Sequence, residues 1–248
     1  MTPLYIGISL LSNKENKEKN NLHREGRRIL GLLAQEPAAS ASIDHLITRE
    51  PRGRPYFIDR RGDFNISHAG RMVGVTYTQE RSTLRGLPLR TGCDIEYLYP
   101  RGNLEAIASR FFSAEEQTYI TRGTQELERL TRFYQLWVLK ECFLKTLGLG
   151  IDLIKHTPNF IQEHTLEKEL AYRKPGSTGS SELTLTLYLY ELGNPLEEPY
   201  LLALAQERNP RTAFLSEGAG PQVRWFSQES LPLRNKAEIQ VLIHGING

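Results

Sequence analysis

Two cysteines, Cys93 and Cys142, are all that the 248 residues contain, which excludes a disulfide framework and any metal site built on Cys ligands. Both lie inside apolar patterns, where a small thiol is ordinarily a buried hydrophobe, and a reducing compartment fits. Long apolar runs are absent as well. The stretch from Leu4 to Leu11 is followed at once by Ser, Asn, Lys and Glu, so it predicts no cleavable leader. No other run approaches the roughly twenty apolar residues that a membrane span needs. Charge of one sign is also missing: 31 Lys and Arg against 29 Asp and Glu leave a net +2. That is too slight to argue for binding duplex nucleic acid, although a local basic patch could still hold phosphates. These absences predict a cytoplasmic globular protein, of one domain or two modest ones.

What is present centres on residues 132–148. Phe133, Leu136, Leu139, Phe143 and Leu147 recur at three- and four-residue steps, one face of a helix, and Gly148 is the usual residue just past a helix C-terminus. Trp137, Glu141 and Lys145 recur at i, i+4 and i+8, with Lys140 beside them, which predicts a second face bearing a carboxylate and two ammonium groups. A solvated salt-bridge face is the commoner fate of such a pattern. The rest of the chain argues otherwise. In Gly92-Cys93-Asp94-Ile95-Glu96 the alternation predicts a strand whose two carboxylates share one face. Two such charges repel, and a divalent cation or a nearby ammonium is their natural partner.

Elsewhere the period-two signal predicts strands at residues 4–11, 64–66, 72–78, 183–190 and 200–206, and a short one at 239–243. Helical patterns cover residues 22–34 and 104–112, and Ser113 with Glu116 spells a capping box for the next helix. Polar, basic or Gly/Ser-rich stretches at 12–21, 79–90 and 174–181 read as loops. Tyr99-Pro100-Arg101-Gly102 reads as a linker, dividing an N-terminal α+β half (residues 1–101) from a C-terminal α+β half with an extension (102–248). Each half offers helices plus a small sheet, the pattern of a duplicated α+β unit with a site between the copies. The tail beyond Arg208 carries no assigned role.

Asp94, Glu96 and Glu141 together supply three hard oxygen ligands, the set expected for Mg²⁺ or Mn²⁺ that also binds substrate phosphates. Candidate phosphate binders accompany them: Arg54, His68 next to Ser67, Lys140 and Lys145, with Arg27 among three arginines of the first helix. Acids for a metal and bases for phosphates point to transfer at phosphorus, where catalysis is mostly positioning and charge neutralisation.

The ordered motifs Gly53-Arg54-Pro55, Phe64-Asn65-Ile66-Ser67-His68-Ala69, Gly92-Cys93-Asp94-Ile95-Glu96 and Trp137-Val138-Leu139-Lys140-Glu141-Cys142-Phe143-Leu144-Lys145 resemble those of the 4′-phosphopantetheinyl transferases. The nearer likeness is to the monomeric, surfactin-synthetase-activating subgroup. The resemblance implies an α+β pseudodimer with coenzyme A, the co-substrate, in the cleft between halves. It implies that Asp94, Glu96 and Glu141 hold Mg²⁺ against the pyrophosphate, and that Glu141 takes the proton from the acceptor serine of an apo acyl or peptidyl carrier protein. Lys145 would then serve the leaving phosphate, while Arg54, Ser67, His68, Lys140 and Arg27 would hold the nucleotide. Neither nucleic acid nor membrane is an implied partner. Arg54 stands where lysine is usual, which changes the geometry of a phosphate contact; Ala69 replaces a frequent serine and Cys142 a frequent alanine. Two other classes compete: a metal-dependent nuclease, which also gathers carboxylates and a lysine, and a non-catalytic coenzyme A or carrier-binding module.

Overall fold

Alternating apolar residues build two sheets, and each sheet receives a helix on the face turned away from the other. In this computed structural model the described residues are 4–11, 21–35, 43–83, 85–100, 102–161, 167–173, 182–193, 199–208, 221–225 and 233–244. The first sheet contains β1 (Tyr5–Leu10), β4 (Asp63–Ala69), β5 (Met72–Thr78) and β10 (Gln222–Trp225), in the order β10-β1-β5-β4. The second contains β6 (Thr91–Tyr97), β7 (Glu167–Arg173), β8 (Glu182–Leu192), β9 (Tyr200–Arg208) and β11 (Leu233–His244), in the order β6-β9-β8-β11-β7. A small ribbon pairs β2 (Ile47–Arg49) with β3 (Pro55–Phe57). Helix α1 (Asn21–Leu33) packs on the first sheet; α2 (Leu104–Phe111), α3 (Ala114–Thr121) and α4 (Glu126–Leu147) form the layer on the second.

Three apolar clusters fill the spaces between these layers. Ile29 and Leu30 of α1 bury against Phe64, Val73, Val75 and Tyr77. Phe133, Leu136, Val138 and Phe143 of α4 bury against Leu185, Leu187, Leu201 and Ala203. Between the sheets lie Ile6, Ile8, Cys93, Ile95, Tyr188, Leu202 and Leu204. Both cysteines are buried and unpaired; desolvation pushes the Cys93 thiol up to about 12.

The two sheets share a strand order. In each, an opening strand is followed by helix and, after intervening strands (β2 and β3 in one, β7 in the other), by an antiparallel pair whose second member inserts beside the opening strand: β1-β5-β4 and β6-β9-β8, antiparallel throughout. The halves drawn at residue 101, however, do not coincide with the sheets. Thr91–Tyr97 lies before that boundary yet opens the second sheet, and Gln222–Trp225 lies after it yet pairs in parallel with β1. The tail without an assigned role thus completes both sheets, since β10 pairs with β1 and β11 pairs with β8 along its length and with β7 from Glu238 to His244. Among the described residues no helix is long and apolar enough to cross a membrane. The loops expected at 12–20 and 174–181 lie outside the described residues, as does most of the segment between β9 and β10.

Local signals act as the sequence suggests. Ser113 accepts from the Glu116 N–H while Glu116 accepts from the Ser113 N–H, a complete capping box. Gly148 ends α4 in the left-handed region at φ 65°, where a side chain would be strained. Gly70, at φ 55°, occupies the two-residue turn that brings Ala69 opposite Met72.

Gly92 serves a different need. It lies where β6 meets α4, and a Cβ there would stand 1.9 Å from Thr146 Oγ1 and 3.1 Å from the Cys142 carbonyl. Thr146 cannot simply yield, because its hydroxyl is buried and donates to that same carbonyl at 2.7 Å. Gly92→Ala is therefore expected to lower stability by about 1–3 kcal/mol through overpacking. Denaturant unfolding checks this, and an unchanged midpoint would contradict so close an approach of strand and helix.

Candidate active site

The site begins where the two sheets meet edge to edge. β4 is the last strand of the first sheet and β6 the first strand of the second, so among the described residues the outer backbone groups of β6 have no strand partner. Side chains of β4 take them instead. The Thr91 N–H donates to Asp63 Oδ2 at 2.7 Å, the Cys93 N–H to Asn65 Oδ1 at 3.5 Å and the Ile95 N–H to Ser67 Oγ at 3.2 Å. Period-two geometry explains the spacing: residues 63, 65 and 67 share one face of β4, and N–H groups 91, 93 and 95 share one edge of β6. Phe64 and Ile66 point the other way, toward α1.

Asp94 projects from β6 toward α4 and is 2% exposed. Its Oδ1 accepts from Ser67 Oγ at 2.9 Å and from the Lys145 ammonium. That ammonium also lies 3.6 Å from Glu141 Oε2 and donates to Ser67 Oγ at 3.2 Å. One positive charge on α4 thus serves a carboxylate from the strand and a carboxylate from its own helix. Desolvation opposes the Lys145 charge, but Asp94 and Glu141 outweigh it and hold its pKa above the ordinary lysine value. Burial raises the Asp94 carboxyl above the usual carboxylate range, with Lys145 and Ser67 acting against the rise.

A second oxygen of Asp94 tests the fit to a cation. Oδ2 is buried and has no hydrogen-bond partner, an expensive state for a carboxylate oxygen unless something positive meets it. Glu96, half-buried, sits two residues along the same face of β6. Among the described residues no three His, Cys, Asp or Glu side chains converge tightly enough to form a ready-made metal cage. Mg²⁺ does not require one, because it is ordinarily held by one or two carboxylates together with waters and substrate phosphates. The donor set fits such an ion.

Four expectations meet a different geometry. Lys140 does not accompany Lys145: it is 1% exposed, and its ammonium lies 2.9 Å from Glu116 Oε1 and donates to Thr157 Oγ1 at 2.8 Å. Burial lowers its pKa and Glu116 opposes that shift. Trp137 likewise faces the core, its ring stacked 5.9 Å from that of Phe133. Arg54 is buried, with both Nη atoms on the Asp63 carboxylate at 2.8 and 2.6 Å and Nε donating to the Lys145 carbonyl at 3.1 Å. Its guanidinium is a clamp on the end of α4, where Arg90 Nη1 also caps the Leu147 carbonyl at 3.2 Å. Ser67 is buried, and its hydroxyl faces Asp94 instead of solvent.

His68 and Arg27 remain available as anion contacts. His68 is solvent-exposed, and its pKa is lowered by partial desolvation first and by the Lys145 ammonium second. His23 of α1 bears on it as well. Arg27 has its Nε 3.1 Å from Asp44 Oδ1, while Nη1 is buried without a hydrogen-bond partner. Desolvation lowers its pKa, as does neighbouring Arg49. His23 and Arg49 escaped the sequence reading, since each is a lone residue in an otherwise ordinary segment. Asp63 escaped it too, although the alternation Asp63-x-Asn65-x-Ser67 was visible.

Residues 90–203 match the 4′-phosphopantetheinyl transferase superfamily. That stretch carries β6 and α4, hence Asp94, Glu96, Glu141 and Lys145. Among curated proteins the chain is 30% identical over 152 residues to a Haemophilus influenzae protein provisionally named a 4′-phosphopantetheinyl transferase, covering 60% of each. It is 33% identical over 137 residues to the 4′-phosphopantetheinyl transferase HetI of Nostoc, 51% of each chain. It is 39% identical over 90 residues to the 4′-phosphopantetheinyl transferase Sfp of Bacillus subtilis, a stretch covering 36% of this chain and 35% of that one. The chain thus spans roughly half to three fifths of the length of the first two relatives.

The Lys140–Glu116 pair yields a test of placement. Both side chains are 1% exposed, and removing one partner strands the other charge, so Lys140→Met is expected to cost about 3–5 kcal/mol of stability. Adding Glu116→Leu should recover part of that loss. Urea titrations of the single and double variants measure it; a fully stable single variant would place the ammonium in solvent.

Proposed function

We propose that this chain transfers the 4′-phosphopantetheine group of coenzyme A to a serine of an apo acyl or peptidyl carrier protein, releasing 3′,5′-ADP. The observation that carries the reading is the meeting of Asp94, Glu141 and Lys145: two carboxylates from distant parts of the chain share one ammonium, and a bare buried oxygen stands beside it. The superfamily match over that same segment supports it and favours group transfer over phosphodiester hydrolysis. The repeated strand order supports two related halves, a pseudodimer within one chain, with the site where β4 meets β6.

Asp94, Glu96 and Glu141 would hold Mg²⁺, or Mn²⁺ in its place, whose charge neutralises the pyrophosphate as it reacts. Glu141, partly exposed on α4, takes the proton from the carrier serine. The serine oxygen forms a bond to the β-phosphorus as the bond to the bridging oxygen breaks, and 3′,5′-ADP leaves. Lys145, charged and with a third of its side chain exposed, neutralises or protonates the leaving phosphate. His68 and Arg27 are the residues we assign to the nucleotide's phosphates. Arg54 and Lys140 act through the fold.

Incubation with coenzyme A, Mg²⁺ and a panel of apo carrier proteins should add one phosphopantetheine mass to at least one of them, read by intact-protein mass spectrometry. A broad panel without any mass gain would defeat the proposal. Asp94→Asn and Glu141→Gln, near-isosteric changes, should each lower kcat/KM at least about a hundredfold. Their thermal transitions should stay close to that of the parent, and full activity in either variant would remove that residue from the reaction.

A further inference from the structure

We infer, on the reading that His68 meets a phosphate of the nucleotide, that Tyr200 is a positioning residue: its hydroxyl fixes the β4–β5 turn and so holds His68 in place beside the carboxylates of the second sheet. His68 stands near the C-terminal end of β4, two residues before Gly70 of that turn. It belongs to the first sheet, whereas Asp94 and Glu96 belong to the second. Holding one nucleotide against both requires the sheets to be tied together at this end as well as along their length.

The side-chain ladder stops short of it. Its rungs join residues 63, 65 and 67 to the N–H groups of 91, 93 and 95, and the next place in that period falls on Ala69, whose side chain has no oxygen. Tyr200 supplies a tie from β9 instead. Its hydroxyl accepts from the Arg71 N–H at 3.2 Å, and a Cβ on Gly70 would stand 2.8 Å from that hydroxyl oxygen and 3.3 Å from Cε1 of the ring. Glycine is needed at residue 70 twice over, by its φ of 55° and by the closeness of this ring. Leu11 holds the turn too: its N–H donates to the Arg71 carbonyl at 2.9 Å, and its carbonyl accepts from Arg71 Nη1 at 2.7 Å. Leu11 follows β1, so that grip stays within the first sheet. Tyr200 is 2% exposed, and its ring packs 5.0 Å from that of Tyr97, three residues beyond Asp94 on β6. Its hydroxyl therefore references the turn to the strand that carries the candidate metal ligands.

Tyr200→Phe removes the hydroxyl and keeps the ring. Tyr188→Phe is the control, because Tyr188 is buried in the same apolar cluster and its hydroxyl accepts from Arg208 Nη2 at 2.9 Å. Amide hydrogen exchange, read by mass spectrometry on peptides covering the β4–β5 turn, should be about fivefold faster in Tyr200→Phe and unchanged in Tyr188→Phe. The dissociation constant of 3′,5′-ADP, measured calorimetrically with EDTA present, should rise about fivefold in Tyr200→Phe, the equivalent of one ordinary hydrogen bond, and stay at the parent value in Tyr188→Phe. KM for coenzyme A should rise with it while kcat stays within about twofold, the mark of lost binding without lost chemistry. In a His68→Gln background, Tyr200→Phe should weaken 3′,5′-ADP no further, because the hydroxyl acts through His68. Unchanged exchange at the turn, an equal loss of 3′,5′-ADP binding in Tyr188→Phe, or a full additional loss in the His68→Gln background would each overturn this role for Tyr200. A parent protein that binds no 3′,5′-ADP would instead defeat the proposed function, and hydrogen exchange would still decide whether Tyr200 fixes the turn.

Discussion

An edge strand with a row of unpaired N–H groups is a liability, and this protein resolves it without adding a strand. The outer edge of β6 is met by an oxygen-bearing side chain from every second residue of β4. Each rung satisfies a buried donor that would otherwise cost more than a hydrogen bond gains, and together they fix one sheet against the other in a single register. A shift of either strand by one residue would turn Phe64 and Ile66 toward polar backbone and the three acceptors toward the apolar layer under α1. The same register decides where Asp94 stands relative to α4. The site is a consequence of how the sheets are joined.

Charge in that site is arranged around Lys145. Left to themselves, Asp94 and Glu141 would repel each other, with Asp94 out of water altogether. The ammonium between them relieves the repulsion and stays charged at neutral pH, held above the ordinary lysine value. The bare Asp94 Oδ2 shows that one monovalent charge does not use up the capacity of the carboxylates. That surplus distinguishes the cluster from an ordinary surface salt bridge, where every oxygen finds water or a partner. The Lys140–Glu116 pair, fully inside the helix layer, is the contrasting structural case.

Much of this was legible in the sequence. Bringing Asp94 to Glu141 and Lys145 rested on ligand chemistry and on the family resemblance, whereas the apolar stripe of α4, its Gly148 stop, the Ser113 capping box, the major strands and the shared helix face of Glu141 and Lys145 all came from spacing. The placement of Lys140 did not, and helical geometry explains why. Lys145 lies five residues beyond Lys140, and at roughly 100° per residue that puts the two ammonium groups about 140° apart around the axis. Adjacency in sequence concealed that separation. The partners of Arg54 and Ser67 were hidden for another reason: a motif identifies the residue type, whereas the group that meets its donors, Asp63 for one and Asp94 for the other, is fixed only when distant strands meet. Of the tail's strands the sequence marked only residues 239–243 of β11; β10, the first part of β11 and the pairings to β1, β7 and β8 were hidden because those pairings are non-local.

Two guanidinium groups grip the closing turn of α4: Arg54 on the Lys145 carbonyl and Arg90 on the Leu147 carbonyl. Arg54 is anchored in turn to Asp63 and to the Thr91 carbonyl at the opening of β6. Sliding the helix along its axis by one residue, about 1.5 Å, would forfeit both grips at once. Glu141 and Lys145 consequently keep a fixed height beside Asp94, so the spacing of the three charges is set by the backbone and finer adjustment falls to side-chain torsions.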